Sequence, residues 1–208
     1  MALEVRFVDS AVVEESTTVV PYARALDGRG DSVAATVFWS ALDTLIVQVL
    51  DSTTGATLGK KPGSGRLQAR VGGLRSNPVS LKVTPQADAI FVPGGGPVGR
   101  DTVTASTSAD SLSDSLKVQI QDTTSGITPV NLAGRPVAYL IIYPSGGSGF
   151  TLVPQGSVLT GAGGIAFVRV RLVNRMLPDS VVVTATAVRA NGQPVPGSAV
   201  TFVVEYLP

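Results

Sequence analysis

Apolar and polar residues alternate along much of this chain with the period of two that a half-buried strand requires. In Arg66-Leu67-Gln68-Ala69-Arg70-Val71, the residues Leu67, Ala69 and Val71 fall on one side and Arg66, Gln68 and Arg70 on the other. Leu116, Val118 and Ile120 alternate in the same way with Lys117, Gln119 and Gln121, and Val168, Val170 and Leu172 alternate with Arg169 and Arg171. One face meets a core and the other meets water, as antiparallel sheets allow. Short apolar runs recur about every 8–12 residues between turn signals, the spacing of a sandwich or barrel. No segment holds a helical period for three turns. The chain is expected to be all-β.

The pattern predicts strands near residues 3–8, 17–26, 33–40, 44–50, 66–71 and 78–84 in the first half. In the second half it predicts them near 88–92, 101–107, 115–122, 136–144, 150–154, 164–173, 180–189 and 198–206. Between the two sets lies Val83-Thr84-Pro85-Gln86-Ala87-Asp88. Pro85 removes a ladder donor and fixes φ, so a strand must end there. The strand pattern restarts at Ala89-Ile90-Phe91-Val92. Two domains are therefore expected, residues 1–85 and 86–208, each with its own core, in a semi-rigid end-to-end pair. The clusters Gly94-Gly95-Gly96-Pro97, Gly146-Gly147-Ser148-Gly149 and Gly161-Ala162-Gly163-Gly164 read as loops and hairpin turns. None opens a helix, so none has the context of a phosphate cradle.

Composition narrows the chemistry. Of the 208 residues 44% are hydrophobic, enough for a core, while 15% are charged, below the usual level of about 25%. The net charge of +1 supplies no global field for nucleic acid or an anionic membrane. Cysteine is absent, which excludes a disulfide scaffold, and histidine is absent, which removes the commonest general base and metal ligand. No apolar run approaches the roughly 20 residues of a membrane-spanning helix, so no membrane insertion is expected. Met1-Ala2-Leu3-Glu4 runs straight into the strand pattern Val5-Arg6-Phe7-Val8, so a secreted form of this protein would have its signal segment outside this sequence.

The first half carries Ala25-Leu26-Asp27-Gly28-Arg29-Gly30 at a turn, Ala34 to Phe38 leading into Trp39-Ser40, and Ile46-Val47-Gln48-Val49. Thr54-Gly55-Ala56-Thr57-Leu58-Gly59, Pro62-Gly63-Ser64-Gly65-Arg66-Leu67-Gln68-Ala69 and the strand Val79 to Val83 follow. Over residues 3–84 this order resembles the bacterial immunoglobulin-like group 2 family, departing from it at Ser40-Ala41-Leu42. The second half carries Gly134-Arg135-Pro136-Val137, Thr160 to Ala166, Val181 to Ala187 and Val200-Thr201-Phe202. Over residues 88–206 it looks like the group 1 family of invasin- and intimin-type adhesins, with loops of its own at 122–137 and 161–164. The resemblance implies two tandem immunoglobulin-like antiparallel β-sandwiches from a bacterial secreted or cell-surface protein. It also implies partners in other domains or copies of that protein. In such sandwiches a strand Trp fills the space between the sheets, which makes Trp39 a core residue.

Several groups remain as candidates beside plainer readings. Arg29-Gly30-Asp31 is the tripeptide read by animal integrins; the plainer reading is a soluble turn in which Gly28 and Gly30 supply positive φ. No acidic residue lies between Asp51 and Asp88, an interval that holds Lys60, Lys61, Arg66, Arg70, Arg75 and Lys82. On one face these would suit envelope polysaccharide or an acidic host glycan; the plainer reading is a solvated outer face. Asp110 and Asp114 with neighbouring serines offer oxygens to Ca²⁺ but fall short of the six to eight it takes. Tyr139 and Tyr143 share a strand face with Ile141, as a sugar-stacking platform or as core. Catalysis has little to work with: Lys82 and Lys117 sit in regular strand patterns, and carboxylates are scattered singly. No enzyme, cofactor or resident metal is expected. A non-catalytic spacer, stalk or adhesive tandem is the expected role, with a carbohydrate-binding module or a self-assembling filament subunit as alternatives.

Overall fold

The computed structural model describes residues 1–8, 10–95, 98–104, 112–124, 128–147, 149–173 and 180–207. The chain divides into two compact units, Met1–Gln86 and Ala87–Pro208. Strands dominate both, and the one helical segment among the described residues is a short 3-10 turn at Ser145–Gly147.

The first unit begins with β1 (Ala2–Arg6), β2 (Val12–Glu14), β3 (Thr18–Val19), β4 (Tyr22–Leu26), β5 (Ser32–Val33) and β6 (Phe38–Ala41). It continues with β7 (Val47–Val49), β8 (Thr57–Gly59), β9 (Gly63–Val71), β10 (Leu74–Arg75) and β11 (Val79–Thr84). One sheet runs β10-β9-β11-β2 with β6 also on β9; two smaller sheets run β1-β4-β5 and β3-β8-β7. The alternation of β9 decides which side is dry. Leu67 and Ala69 are fully buried, and they join Val13, Trp39, Val47, Leu81 and Val83 in one core. The strand expected at 44–50 is shorter. Ile46 N donates to Asp43 O (3.0 Å), so a turn occupies 43–46 and leaves Leu45 exposed.

The second unit comprises β12 (Ala89–Phe91), β13 (Val98–Thr104), β14 (Leu116–Asp122), β15 (Val130–Asn131) and β16 (Pro136–Tyr143). It ends with β17 (Phe150–Val153), β18 (Ser157–Leu159), β19 (Ile165–Leu172), β20 (Ser180–Thr186) and β21 (Val200–Leu207). Two sheets result, β12-β14-β19-β17 with β15 on β14, and β13-β21-β20-β16-β18. Val118, Ile120, Val168 and Val170 of the first share one buried cluster with Val137, Val181, Val183 and Val204 of the second. This is a β-sandwich whose inner faces are the apolar halves of the alternating strands.

Pairing is not wholly antiparallel. In each unit an early strand lies parallel to the last one: β2 pairs β11 with Lys82 opposite Val12, and β13 pairs β21 with Val98 opposite Thr201. The chain leaves its antiparallel partner (β4 for β1, β14 for β12) and crosses to the other sheet. Between β12 and β13 the crossing uses the Pro93-Gly94-Gly95 turn. Both parallel pairs close a sheet with residues about 70 to 100 positions apart, which no local pattern encodes.

Buried hydroxyls fasten the corners. Thr160 Oγ1 donates to Leu132 O (2.5 Å) and accepts from Arg135 N (2.9 Å), while Gly134 N donates to Thr160 O (2.7 Å). The Gly134-Arg135-Pro136 and Thr160-Gly161 segments thus grip one another, satisfying backbone groups that two facing strands leave unpaired. Ser113 does the same for β19, its Oγ accepting from Val170 N (2.8 Å) and donating to Asp114 O (2.8 Å).

Trp39 is 6% exposed and lies under the turn joining β7 to β8. Its backbone N–H donates to Ser52 O (2.7 Å), and Gly55 N donates to Asp51 O (2.9 Å). Gly55 has φ of +79° and sits on the indole: a Cβ there would come within 2.7 Å of Trp39 Nε1. The turn is held by Asp51 Oδ1, which accepts from Thr53 Oγ1 (2.7 Å), Thr53 N (2.8 Å) and Thr54 N (3.3 Å). The Thr53 hydroxyl, followed by the two N–H groups, lowers the Asp51 carboxyl to about 2.

Two expected outcomes follow from this turn. Trp39→Ala should destabilise the first unit by about 3–5 kcal/mol, read as a lower calorimetric transition, and Gly55→Ala should move the same transition down through strain and clash. An unmoved transition in either variant would contradict the packing described. The second outcome concerns acid. A depressed folded-state value adds stability that is complete above the unfolded value near about 3.9 and is lost as pH falls towards 2. Asp51→Asn should therefore flatten the acid limb of the first unit's stability between about pH 4 and 2, measured by urea titration at several pH values. An acid limb identical to the parent's would rule Asp51 out as a contributor.

Candidate functional site

The face opposite the first unit's core is where chemistry gathers. On β9 the alternation that buries Leu67 and Ala69 turns Arg66 and Arg70 to solvent. Register brings their neighbours alongside. Ser80 lies opposite Arg66 and Lys82 opposite Ser64 on β11; Phe38 lies opposite Arg70 and Ser40 opposite Gln68 on β6; Arg75 of β10 lies opposite Arg70. Four cations therefore share one sheet face. From the Lys82 level to the Arg70 level is six residues of β9, a span of about 20 Å. Lys60 and Lys61 are not brought to this face. They follow β8 in a different sheet, where both N–H groups donate to Ile46 O and Lys60 Nζ donates to Thr44 O (3.2 Å).

The four cations are not equivalent. Arg66 is held bidentately, Nε to Asp43 Oδ2 (2.8 Å) and Nη2 to Asp43 Oδ1 (3.0 Å), and its own N–H donates to Oδ2 (2.9 Å). This pairing keeps the Asp43 carboxyl below the usual carboxylate range and raises the Arg66 guanidinium. The partner could not be read from the sequence, because a turn delivers Asp43 from 23 positions away. Arg70 stacks over the half-buried Phe38 ring, 4–6 Å being the range for such contacts, at 5.3 Å from the centroid. Arg75 Nη1 reaches Gln68 Oε1 (3.5 Å), and Gln68 Nε2 donates to Ser76 O (2.9 Å). Among the described residues no carboxylate pairs with Arg70, Arg75 or Lys82.

The Arg29-Gly30-Asp31 turn joins β4 to β5, and all three residues are exposed. Asp27 organises it: Oδ1 accepts from Arg29 N (2.8 Å) and Asp31 N (3.0 Å), and these bonds lower the Asp27 carboxyl. Gly30 has φ of +91°, whereas Gly28 does not adopt positive φ, correcting the expectation for that residue. The backbone of the turn is fully explained by Asp27.

The tyrosine pair does not form a platform. Tyr139 is 6% exposed, its hydroxyl donating to Ala166 O (2.9 Å), and burial raises its phenol well above the ordinary value. A β-bulge between Ile141 and Tyr143 breaks the alternation, so Tyr143 is 48% exposed and leaves the face that Tyr139 occupies. A cleft of about 410 Å³ runs between β16 and β17, lined by Tyr139, Ile141, Phe150 and Leu152. Two polar side chains that line it, Gln155 and Thr151, are engaged with each other, Gln155 Nε2 donating to Thr151 Oγ1 (2.8 Å).

Asp110 lies outside the described residues. Asp114 N donates to Asp101 Oδ2 (2.8 Å), placing two carboxylates in a 260 Å³ cleft that Arg100 and Lys117 also line. Among the described residues no group of three or more acidic, His or Cys side chains gathers where a metal ion would sit. Lys82 and Lys117 stand exposed on outer sheet faces. No described helix is long and apolar enough to cross a membrane.

No family model matches the chain, nor does a curated relative. Among solved structures, similarity is found to domains 4 and 5 of the S-layer protein SbsC, at 14% identity and TM-score 0.38, over 100% of this chain and 98% of that one. The Yersinia pseudotuberculosis adhesin InvE is similar at 16% identity and TM-score 0.42, over 98% of this chain and 58% of that one. The D00-D0 domain of intimin is similar at 17% identity and TM-score 0.37, over 99% of this chain and 100% of that one. At these TM-scores the likeness places no residue and assigns no role.

The arrangement at Asp101 and Asp114 generates an expected outcome. Chelation followed by dialysis should leave the calorimetric profile unchanged, since a native-state ligand would stabilise by mass action and its removal would lower the transition. A chelator-sensitive transition restored by Ca²⁺ would establish a metal site there.

Proposed function

We propose that the chain is a pair of non-catalytic modules of a bacterial secreted or cell-surface protein, acting as spacer, stalk or adhesive tandem. One observation supports this reading above others: each unit buries an aliphatic core between its own sheets, and its buried hydroxyls fasten corners. Thr160 and Ser113 are bound to backbone groups, not presented to a cleft. The quoted resemblances to group 2 and group 1 bacterial immunoglobulin-like domains, at 1–85 and 86–208, point the same way. In this reading the partners are other domains or copies of the surface protein, and the exposed faces meet envelope polysaccharide or host glycan.

The alternatives lack their signs among the described residues. A sugar-stacking module calls for exposed coplanar aromatics, whereas Trp39 and Tyr139 are buried and Tyr143 stands apart. A filament built by strand donation calls for an unpaired terminal strand, whereas β1 pairs β4, and β21 pairs both β13 and β20.

The spacer reading is tested by reach. The chain is displayed on a bacterial surface between an anchor and an epitope, and antibody access through the surface polysaccharide is measured by flow cytometry. Access should be highest with both units, lower with Met1–Gln86 deleted, and lowest with neither. Equal access in all three displays would sink the spacer reading.

A further inference from the structure

We propose that the outer face of the β9 sheet binds an extended acidic polysaccharide, one bearing carboxylate or sulfate groups along its length. This narrows the polysaccharide contact of the proposed function to one face and one chemistry, and it is independent of the spacer role.

Three observations carry it. The first is an unfavourable pairing. Arg70 and Arg75 lie directly opposite each other on adjacent strands, and like charges so placed repel. Phe38 on the β6 side of β9 holds Arg70 over its ring, and Gln68 engages Arg75, so each guanidinium is fixed on its own side of β9 and both stay on the outer face. Oxyanions taken up by these two guanidinium groups, each offering a fork of donors, offset that repulsion. The second is the distribution of charge. Lys82 and the Arg70–Arg75 pair stand about 20 Å apart along the sheet, with the Asp43-neutralised Arg66 between them. Such a row suits a linear polymer with repeated charges better than a compact anion.

The third is the floor between the cations. Ser40, Ser64 and Ser80 are exposed on this face and present small hydroxyls. A sugar chain can lie flat on such a surface and exchange hydrogen bonds with it. Single-stranded nucleic acid is the weaker fit, because it relies on exposed aromatic faces for stacking. The one aromatic here, Phe38, is half-buried and has Arg70 over its ring.

The test uses the full chain in biolayer interferometry against immobilised heparin, which is sulfated, and polygalacturonate, which is carboxylated. Dextran is the neutral control, and single-stranded DNA is the competing polyanion. Binding to at least one acidic polysaccharide is expected, with none to dextran and weaker binding to DNA; which polysaccharide binds tells sulfate from carboxylate. Combined Arg70→Gln, Arg75→Gln and Lys82→Gln should weaken binding at least about tenfold, with the calorimetric transitions retained. Lys60→Gln with Lys61→Gln, off the face, should change it less than about twofold. Asp43→Asn, which keeps an acceptor for Arg66 but removes the carboxylate charge, should strengthen binding. Should the triple variant fail to fold, Asp43→Asn and the single exposed Lys82→Gln decide, as gain and loss respectively. The proposal is overturned if neither acidic polysaccharide binds, if DNA binds as tightly, or if the Lys60/Lys61 variant loses as much as the triple variant. None of these results bears on epitope reach, so the spacer reading is judged separately.

Discussion

No disulfide joins the sheets of this protein, so everything else rests on keeping their inner faces dry. With no cysteine in the chain, each unit holds its sheets together chiefly by apolar burial. The inner positions are accordingly mostly Val, Leu, Ile and Ala, side chains with no polar atom to satisfy, while the buried hydroxyls of Tyr139 and Tyr206 donate to Ala166 O and Val170 O. Val47, Leu67, Ala69 and Leu81 in the first unit, and Val118, Val168, Val181 and Val204 in the second, are fully buried. The one indole is placed where the first unit needs volume, and it is accommodated only because Gly55 leaves the space above it free. That dependence runs outward: Asp51 holds the turn, the turn places Gly55, and Gly55 admits Trp39.

The same constraint explains where polar side chains go. A strand that ends or crosses to the other sheet leaves N–H and C=O groups near the core, and an unsatisfied buried group costs about 1–3 kcal/mol. Thr160, Ser113 and Ser76 are buried because each answers such groups; Ser76 Oγ accepts from Ala69 N (3.1 Å) and donates to Asn77 O (2.8 Å). These hydroxyls look like nucleophiles in a list of residue types and are structural in their surroundings. The Gly-rich and Gly-Arg-Pro segments that carry the family resemblance belong to the same class, since they meet at the Thr160 corner.

The outer faces are free of this constraint. A sheet one side of which must be apolar is free to vary on the other, so β9 can carry Arg66 and Arg70 without disturbing Leu67 and Ala69. Outward cations on adjacent strands become neighbours through register, not through proximity in sequence. Such a face is held by a core that its substitution does not touch. Exposed ion pairs contribute little to stability, so the Asp43–Arg66 pair bears on the charge of the face more than on the fold.

The strand content, the division of each strand into a dry and a wet side, and the turns at glycine and proline were legible in the sequence by itself. Period-two alternation is a local property and survives in any register. Arg66 to Val71 and Leu116 to Gln121 show it directly. Local pattern could not reveal which strands meet. The parallel closures of β2 on β11 and β13 on β21 join distant residues, and short strands such as Val12–Glu14 and Thr57–Gly59 exist only because such partners stabilise them. Tyr139 and Tyr143 were legible as one face until a bulge, set by pairing with β20, separated them. The basic residues between Asp51 and Asp88 were visible as a run. Their division into a shared face of Arg66, Arg70, Arg75 and Lys82, with Lys60 and Lys61 in the loop after β8 and Asp43 clasping Arg66, was decided by tertiary pairing, a property of the folded chain alone.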